Sequence, residues 1–587
     1  MKSVNVKSTL LLVLVLFMFG PAVKSQTVSE LLDGYFSYNR FWGSVVLLQD
    51  DKVMFQKSYG YADKELKKSN DAQTLFDLGS VTKTMTAVAI LKLHDEGKLS
   101  VYDRVDKYIP GFINDKTDSV TILNLLNHTS GMEANLGRKD ERGIGIMPGN
   151  EPIGREQLID KFRSSKLKSK PSTSYEYNNY GYTLLAYILE KVSGMDYATY
   201  LKQVIFDPLK MVNTRYKLDL VAQPAKGYMG VGTNDIKAVS DPFHPSWIVG
   251  AGYVYSSTND LSRYVSAVFT HKLFSESTLR LMMDSCVNAG KQNKQWALGW
   301  ERKKIDGLDW YSHGGGVFGF STKVGYLPEK GITVIILSNL VKEMNFDEIY
   351  SAKFSFVDEI TEKILMILNH KTVAYLPVPK GKASKKVTGT YQFDKAHHAT
   401  VFLQNDSLFL TAEAKDNFTL FDYSLNRSQT DTTGNYSTCQ LLVKSLMTAN
   451  FEGFEKNCVA GMFNPKIAGQ VSNVWKFYLS KGGPVSSYNI FSKSASNYTI
   501  AFHLEKAEIV MPVFFNDQHL IKGMFFQSVL PKCTVQTVHL VPAGKDEYVV
   551  DGYRNGGYSD FRVKYDSSAQ QLSFVTDVDS FTASKVR

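Results

Sequence analysis

The sequence predicts an α+β protein of several units, and three observations carry that reading. Strand-like runs occur near the start, over residues 43–60, and again at 318–337, with helical spacing between them. A stretch holding prolines and lysines but no periodicity, 371–386, reads as a linker that closes off this first unit. Beyond it, short strands separated by turns are interrupted by one helical block, 439–482. Strands at both ends of residues 26–370 point to a single antiparallel sheet flanked by a helical lobe, with a cleft between the two as the place for a site.

The elements follow in chain order. Lys2 and Lys7 precede an unbroken apolar run over residues 10–19, then Gly20-Pro21 and the small-residue end Val23-Lys24-Ser25. That pattern predicts a secretory signal peptide over residues 1–25, cut after Ser25. The run is shorter than the roughly 20 residues a membrane span needs, and no later stretch is long and apolar enough, so an exported protein with no stable membrane span is expected. Residues 43–49, the Asp50-Asp51 turn and residues 53–60 form a β-hairpin. After Gly79, the residues Met85, Val88, Ala89 and Leu93 recur at helical spacing up to a stop at Gly97, predicting an amphipathic helix with Ser80 at its N-terminus. A second helix is expected over 181–193, strands over 318–326 and 332–337, and a long amphipathic helix over 345–369. In the tail, strands are expected at 389–392, 399–404, 407–412 and 418–421, and again at 498–504 and 509–515.

Bulk properties exclude several classes of function. The 587 residues exceed one ordinary core, and 43% hydrophobic with 21% charged residues describes folded rather than disordered chain. A net charge of +9 is modest for this length, and no basic cluster interleaves with aromatics, so nucleic acid is not an expected partner. The four cysteines, Cys286, Cys439, Cys458 and Cys533, form no CxxC and no Cys/His cluster, so neither zinc nor a thioredoxin-like site is indicated.

Three short motifs carry chemistry. Ser80-Val81-Thr82-Lys83 places a hydroxyl and an amine one helical turn apart, candidates for a nucleophile and the group that handles its proton. Spacing alone is weak, since about three Ser-x-x-Lys matches arise by chance at roughly 7% for each residue type. Ser165-Lys166-Leu167-Lys168 is such a decoy, without the ordered approach that Gly79 gives Ser80. Tyr177-Asn178-Asn179 sits in a polar loop opening onto a helix. A tyrosine there acts as a base only if about 4 kcal/mol of phenolate stabilisation brings its pKa near neutrality, which a neighbouring ammonium such as Lys83 could supply. His313-Gly314-Gly315-Gly316 pairs a histidine with a backbone free to approach a ligand, and it is the sole His-x-Gly of the chain. The N–H groups of Ser80 and Gly316 could together polarise a carbonyl as an oxyanion hole.

In this order the three motifs resemble those of the penicillin-recognising serine hydrolases, in the branch holding class C β-lactamases, D-alanyl-D-alanine carboxypeptidases, D-aminopeptidases and related esterases. Subsidiary stretches agree: Leu125-Leu126-Asn127-His128-Thr129-Ser130-Gly131-Met132, Pro208-Leu209-Lys210-Met211-Val212-Asn213-Thr214, the segment opening Gly250-Ala251-Gly252-Tyr253, and Leu298-Gly299-Trp300. The resemblance implies a serine β-lactamase-like fold over 26–370 and a hydrolase without metal or cofactor. It makes Ser80 the acylated nucleophile, with Lys83 and Tyr177 sharing the proton transfers and the choice of base open. Asn179 is expected to contact the substrate and hold Lys83, His313 and Gly315 to line the substrate, and Ser80 and Gly316 to form the oxyanion hole. His313 stands where typical β-lactamases carry the lysine of Lys-Thr-Gly, and a histidine is largely neutral at pH 7, which favours a peptide or ester over a β-lactam. A peptide with D-amino acids, such as a cell-wall peptide, is the first substrate choice and a small ester the second. A catalytically silent wall- or peptide-binding protein is the rival from another class.

The tail resembles two families. Residues 387–438 and 535–587 look like two halves of a lipocalin-like β-domain, and 440–532 like a small inserted α+β cone of the nuclear-transport-factor-2-like kind. Such an insertion brings its ends together near Cys439 and Cys533, so a disulfide between them stands as an expectation beside two free buried thiols.

Overall fold

The computed structural model describes residues 27–586 apart from 113–119, 134–150, 164–166, 217–222, 232–234, 241–242, 290–293, 347–349, 355, 374–377, 379–383, 393–397, 405–406, 414–433, 461, 495–496, 506, 525–527, 532–534, 552–561 and 576–579. The signal-peptide expectation, most of the linker, the strand expected at 418–421, the decoy at Ser165-Lys166 and Cys533 lie outside these residues.

An eight-stranded sheet organises the first unit, and all its pairings are antiparallel. Its order is Val287–Asn288, Lys294–Trp296, Glu301–Ile305, Leu308–Val317, Phe320–Leu327, Ile332–Ser338, Gly43–Gln49 and Lys52–Tyr59. The N-terminal hairpin thus docks on the late strands, with Val45 opposite Ile336, as expected for a sheet built from both ends. Asp50 and Asp51 both adopt positive φ, 48° and 66°, the conformation that a tight two-residue hairpin turn requires.

Period-two side-chain alternation gives this sheet two different faces. Val45, Leu47, Trp310, Val334 and Ile336 pack with residues of helices Val28–Ser37 and Val357–Leu368. Val46, Leu48, Val324, Ile335 and Leu337 belong to a larger core shared with the helical lobe, which includes Thr82–Asp95, Asn179–Ser193 and Thr258–Phe269. With both faces covered, strand Gly43–Gln49 reads as a continuous apolar run rather than an alternation.

Two helix expectations need correction. Residues 345–369 do not form one helix: strands Leu340–Phe346 and Tyr350–Phe354 come first, and the helix is Val357–Leu368. Tyr350, Ala352, Phe354 and Phe356 alternate with period two, a strand pattern that the helical spacing downstream obscured. The helix after Ser80, Thr82–Asp95, is not amphipathic, since nearly every residue from Thr82 to Leu93 is buried. Its threonines are hydrogen-bonded: Thr84 Oγ1 donates to the Val81 carbonyl one turn back at 2.8 Å and Thr86 Oγ1 to the distant Gly250 carbonyl at 2.6 Å. Gly97 follows its end at φ 68°.

Downstream, strands Gly389–Gln392, His398–Gln404 and Ser407–Glu413 close an eight-stranded barrel with the five strands that begin at Val535. The chain between contributes helices Asn435–Thr448 and Pro465–Gly482, which share a core with the sheet of Val485–Ser494, Asn497–Leu504, Ala507–Phe515 and Ile521–Met524. The first of these helices starts at Asn435 and carries the buried Cys439. The lipocalin-like reading of the tail thus has its barrel, split in sequence as expected. Among the described residues no helix is long and apolar enough to cross a membrane.

Candidate active site

The site begins at a glycine turn. Gly79, at φ 51°, opens a short 3-10 turn that carries Ser80 into helix Thr82–Asp95. Asp77 Oδ1 accepts the Gly79 N–H at 2.9 Å, the Val254 carbonyl accepts the Leu78 N–H at 2.9 Å, and Thr322 Oγ1 donates to the Leu78 carbonyl at 2.9 Å. The glycine strand Leu308–Val317 lies directly against this turn. A methyl group on Gly79 would sit 2.8 Å from the Gly316 nitrogen, and one on Gly315 only 1.9 Å from the Leu78 oxygen. These two positions admit glycine alone, and the close approach is what sets the Gly316 N–H beside Ser80. Ser80 is half-buried and Gly316 exposed, so both face accessible space.

Lys83, fully buried, reaches back one turn. Its Nζ lies 3.0 Å from Ser80 Oγ and donates to the Ala251 carbonyl at 2.9 Å. Among the described residues no carboxylate is its partner, and burial pushes its pKa well below the ordinary lysine range. The amine is thereby disposed to be neutral, with a lone pair available to the serine hydroxyl. The Tyr177 and Tyr182 rings stand 5.0 Å and 5.8 Å from Nζ.

Tyr177 precedes helix Asn179–Ser193, whose N-cap is Asn178: its Oδ1 accepts the N–H groups of Tyr180 and Gly181. Burial raises the Tyr177 pKa above its ordinary value, and the Ser80 hydroxyl offsets this only in part. The phenol therefore keeps its proton, opposite to what a tyrosine base requires. Asn179, the first residue of that helix, is half-buried, and its carbonyl faces Thr183 Oγ1 at 3.5 Å. Among the described residues the hydrogen bonds of Lys83 go to Ser80 and Ala251, not to Asn179, which departs from the expectation that Asn179 holds the lysine.

His313 is buried on the glycine strand, with Nδ1 2.7 Å from the Gly314 carbonyl. That carbonyl can only accept, so Nδ1 carries the proton, and Nε2 is left buried without a partner. Burial, with Lys83 adding to it, pushes the pKa of His313 down to about 3, so the ring is neutral at pH 7.

Sequence reasoning missed two members of the cluster. Trp296 sets its ring 5.2 Å from His313, 5.5 Å from Tyr177 and 4.9 Å from His128, tying the three together. His128 lies 4.4 Å from the Tyr177 ring. Its signal was present in the subsidiary stretch around Gly131, but without an assigned role. A pocket of about 420 Å³ opens beside the end of the glycine strand, lined by Val317, Phe318, Phe320, Tyr255, Lys226 and Asp77 among others. Among the described residues no group of three or more His, Cys, Asp or Glu side chains gathers as a metal site would.

Comparison with known proteins gives the family and the fold. A family model described as Beta-lactamase matches residues 26–354. Penicillin-binding protein 4* of Bacillus subtilis (strain 168) is 27% identical over 432 residues, covering 68% of this chain and 90% of that protein. Protein flp of Staphylococcus aureus (strain NCTC 8325 / PS 47) is 27% identical over 339 residues, 56% of this chain, and the match spans 63% of its length, under two thirds. Among solved structures, the octameric penicillin-binding protein homologue from Pyrococcus abyssi shares the fold over 85% of this chain and 98% of its own, with a TM-score of 0.52 and 20% identity. The D-amino acid amidase from Ochrobactrum anthropi SV3 complexed with L-phenylalanine does so over 58% and 98%, with a TM-score of 0.50 and 20% identity.

Proposed function

The chain belongs to the beta-lactamase family, and from that premise we propose that it is an exported serine hydrolase forming an acyl-enzyme on an amide or ester. Its first substrate class is a peptide carrying D-amino acids, such as a cell-wall peptide. The observation that carries this reading is the buried Lys83 amine, 3.0 Å from Ser80 Oγ and without a carboxylate partner. The penicillin-binding name of the Bacillus subtilis relative supports the same substrate class.

In this reading Lys83 is the base. Ser80 Oγ–H gives its proton to the neutral amine while Oγ bonds to the substrate's carbonyl carbon, and the carbonyl electron pair moves onto oxygen. The N–H groups of Ser80 and Gly316 receive that oxyanion. As it collapses, the C–N or C–O bond breaks, and the leaving atom takes a proton from the Lys83 ammonium, directly or through the protonated Tyr177 hydroxyl. A water then attacks the acyl-serine by the same route and frees Ser80. Asn179 and Gly315 line the bound acyl chain. The neutral His313 provides no cation for a substrate carboxylate, which favours amides and small esters over β-lactams.

Intact-mass analysis after exposure to a fluorophosphonate or a penicillin tests the reading. A single adduct on wild type that is absent in Ser80→Ala is the expected result. No adduct with any probe favours the silent binding protein, and an adduct surviving in Ser80→Ala moves the nucleophile elsewhere. A panel of D-amino-acid peptides, esters and β-lactams then ranks the substrates, and N-terminal sequencing of exported protein checks cleavage after Ser25.

A further inference from the structure

His128 holds the segment around Tyr177 from both sides. Its backbone carbonyl accepts the N–H of Glu176 at 2.9 Å, and its ring Nδ1 accepts the N–H of Asn178 at 3.1 Å. The tyrosine is thus bracketed between two hydrogen bonds to one residue. The imidazole also packs on the phenol, ring centroids 4.4 Å apart and planes tilted by 39°. One residue meets all three contacts because its backbone is left-handed, φ 59°, which turns carbonyl and side chain toward the same loop. Histidine, with asparagine and aspartate, is among the non-glycine residues that adopt this conformation most readily.

The bracket rests on a firm base. His128 follows helix Ile122–Leu126, capped by Thr121, and the next residue, Thr129, accepts the Ser172 N–H at 2.9 Å and is bonded by Asn124 Nδ2 at 3.0 Å. Because Nδ1 accepts, the ring proton sits on Nε2, which is buried without a partner. A protonated ring would lose the Asn178 bond, so the neutral form is the one that grips.

We propose that His128 is a positioning residue for the acylation step, its ring Nδ1 and backbone carbonyl fixing Tyr177 against Lys83 and Ser80. This rests on the serine-hydrolase reading of the site. Misplacing a proton-transfer group by an ångström costs about 100-fold in rate, so the tether has a kinetic role beyond its share of stability.

Two variants that suit a left-handed backbone separate tether from strain. His128→Gly keeps the carbonyl bond and removes the acceptor and the ring, whereas His128→Asn restores an acceptor oxygen for the Asn178 N–H without the ring. The full-length chain is titrated with a fluorophosphonate to obtain the maximal inactivation rate and the half-saturating concentration, with melting temperatures measured alongside. His128→Gly is expected to slow the maximal rate about 10- to 100-fold with the half-saturating concentration little changed, and His128→Asn to recover most of that loss at a similar melting temperature. A His128→Gly rate within about twofold of wild type, or a His128→Asn variant as slow as His128→Gly, overturns the proposal while leaving the hydrolase reading intact. A wild-type chain that never labels brings down both.

Discussion

The two faces of the eight-stranded sheet use the same strands for opposite ends. On one face, Val45, Leu47, Val334 and Ile336 meet two helices in an apolar core. On the other, the strand that buries Tyr311 in the lobe also presents His313 and the exposed Gly316 to a cluster of Ser80, Lys83, Tyr177, Trp296 and His128. The first face spends its side chains on burial, worth about 1.5–3 kcal/mol for each large aliphatic residue. Among the described residues, the second leaves Nε2 of both His128 and His313 buried and unpartnered, and buries an amine with no counter-charge beside it. Such groups cost stability and are kept where they face a reaction.

That contrast predicts which changes hurt activity and which hurt folding. Ser80→Ala is expected to abolish turnover, by about 10⁴-fold or more, with a melting temperature within a degree or two of wild type. Lys83→Met removes the proposed base but also removes a buried ionisable group. Turnover is expected to fall by about 1,000-fold while the melting temperature does not drop. A Lys83→Met protein that unfolds readily would make the lysine a structural member and blur the distinction between the faces. Ile336→Ala, on the apolar face, is expected to cost about 2–5 kcal/mol in urea unfolding, with kcat per folded molecule unchanged. A large kcat loss in Ile336→Ala would mean that the sheet transmits packing changes to the site.

The sheet and its pairing from both chain ends were legible because strands 43–49 and 332–337 are aliphatic and bounded by turn residues. The glycine strand was not: Gly314-Gly315-Gly316 lowers strand propensity in Leu308–Val317, and the close approach that demands those glycines is a tertiary contact with Leu78. Ser80, Lys83, Tyr177 and His313 could be singled out because each sits in a short, ordered motif, and the structure gathers them in one cluster. The base could not be chosen from sequence, since it depends on burial: desolvation lowers Lys83 and raises Tyr177. His128 and Trp296 join the site through ring packing and a backbone bond across about 50 residues of chain, which no local pattern encodes.

The smallest expected effect tests the polar face most directly. His313 has a pKa of about 3 in the folded protein against an ordinary 6.5, so between those values the unfolded chain binds the extra proton. Stability from this residue is therefore complete above about pH 6.5 and falls as the pH drops toward 3. Between pH 6.5 and 5 the loss amounts to about 2 kcal/mol. His128, lowered in the same direction, adds to the slope, so His313→Gln is expected to flatten it without removing it. Urea unfolding of both proteins at pH 7, 6 and 5 measures the difference. Equal slopes would mean that His313 takes a proton in the folded state near pH 6. The site would then present a cation to a substrate carboxylate, and β-lactams would return to the front of the substrate panel.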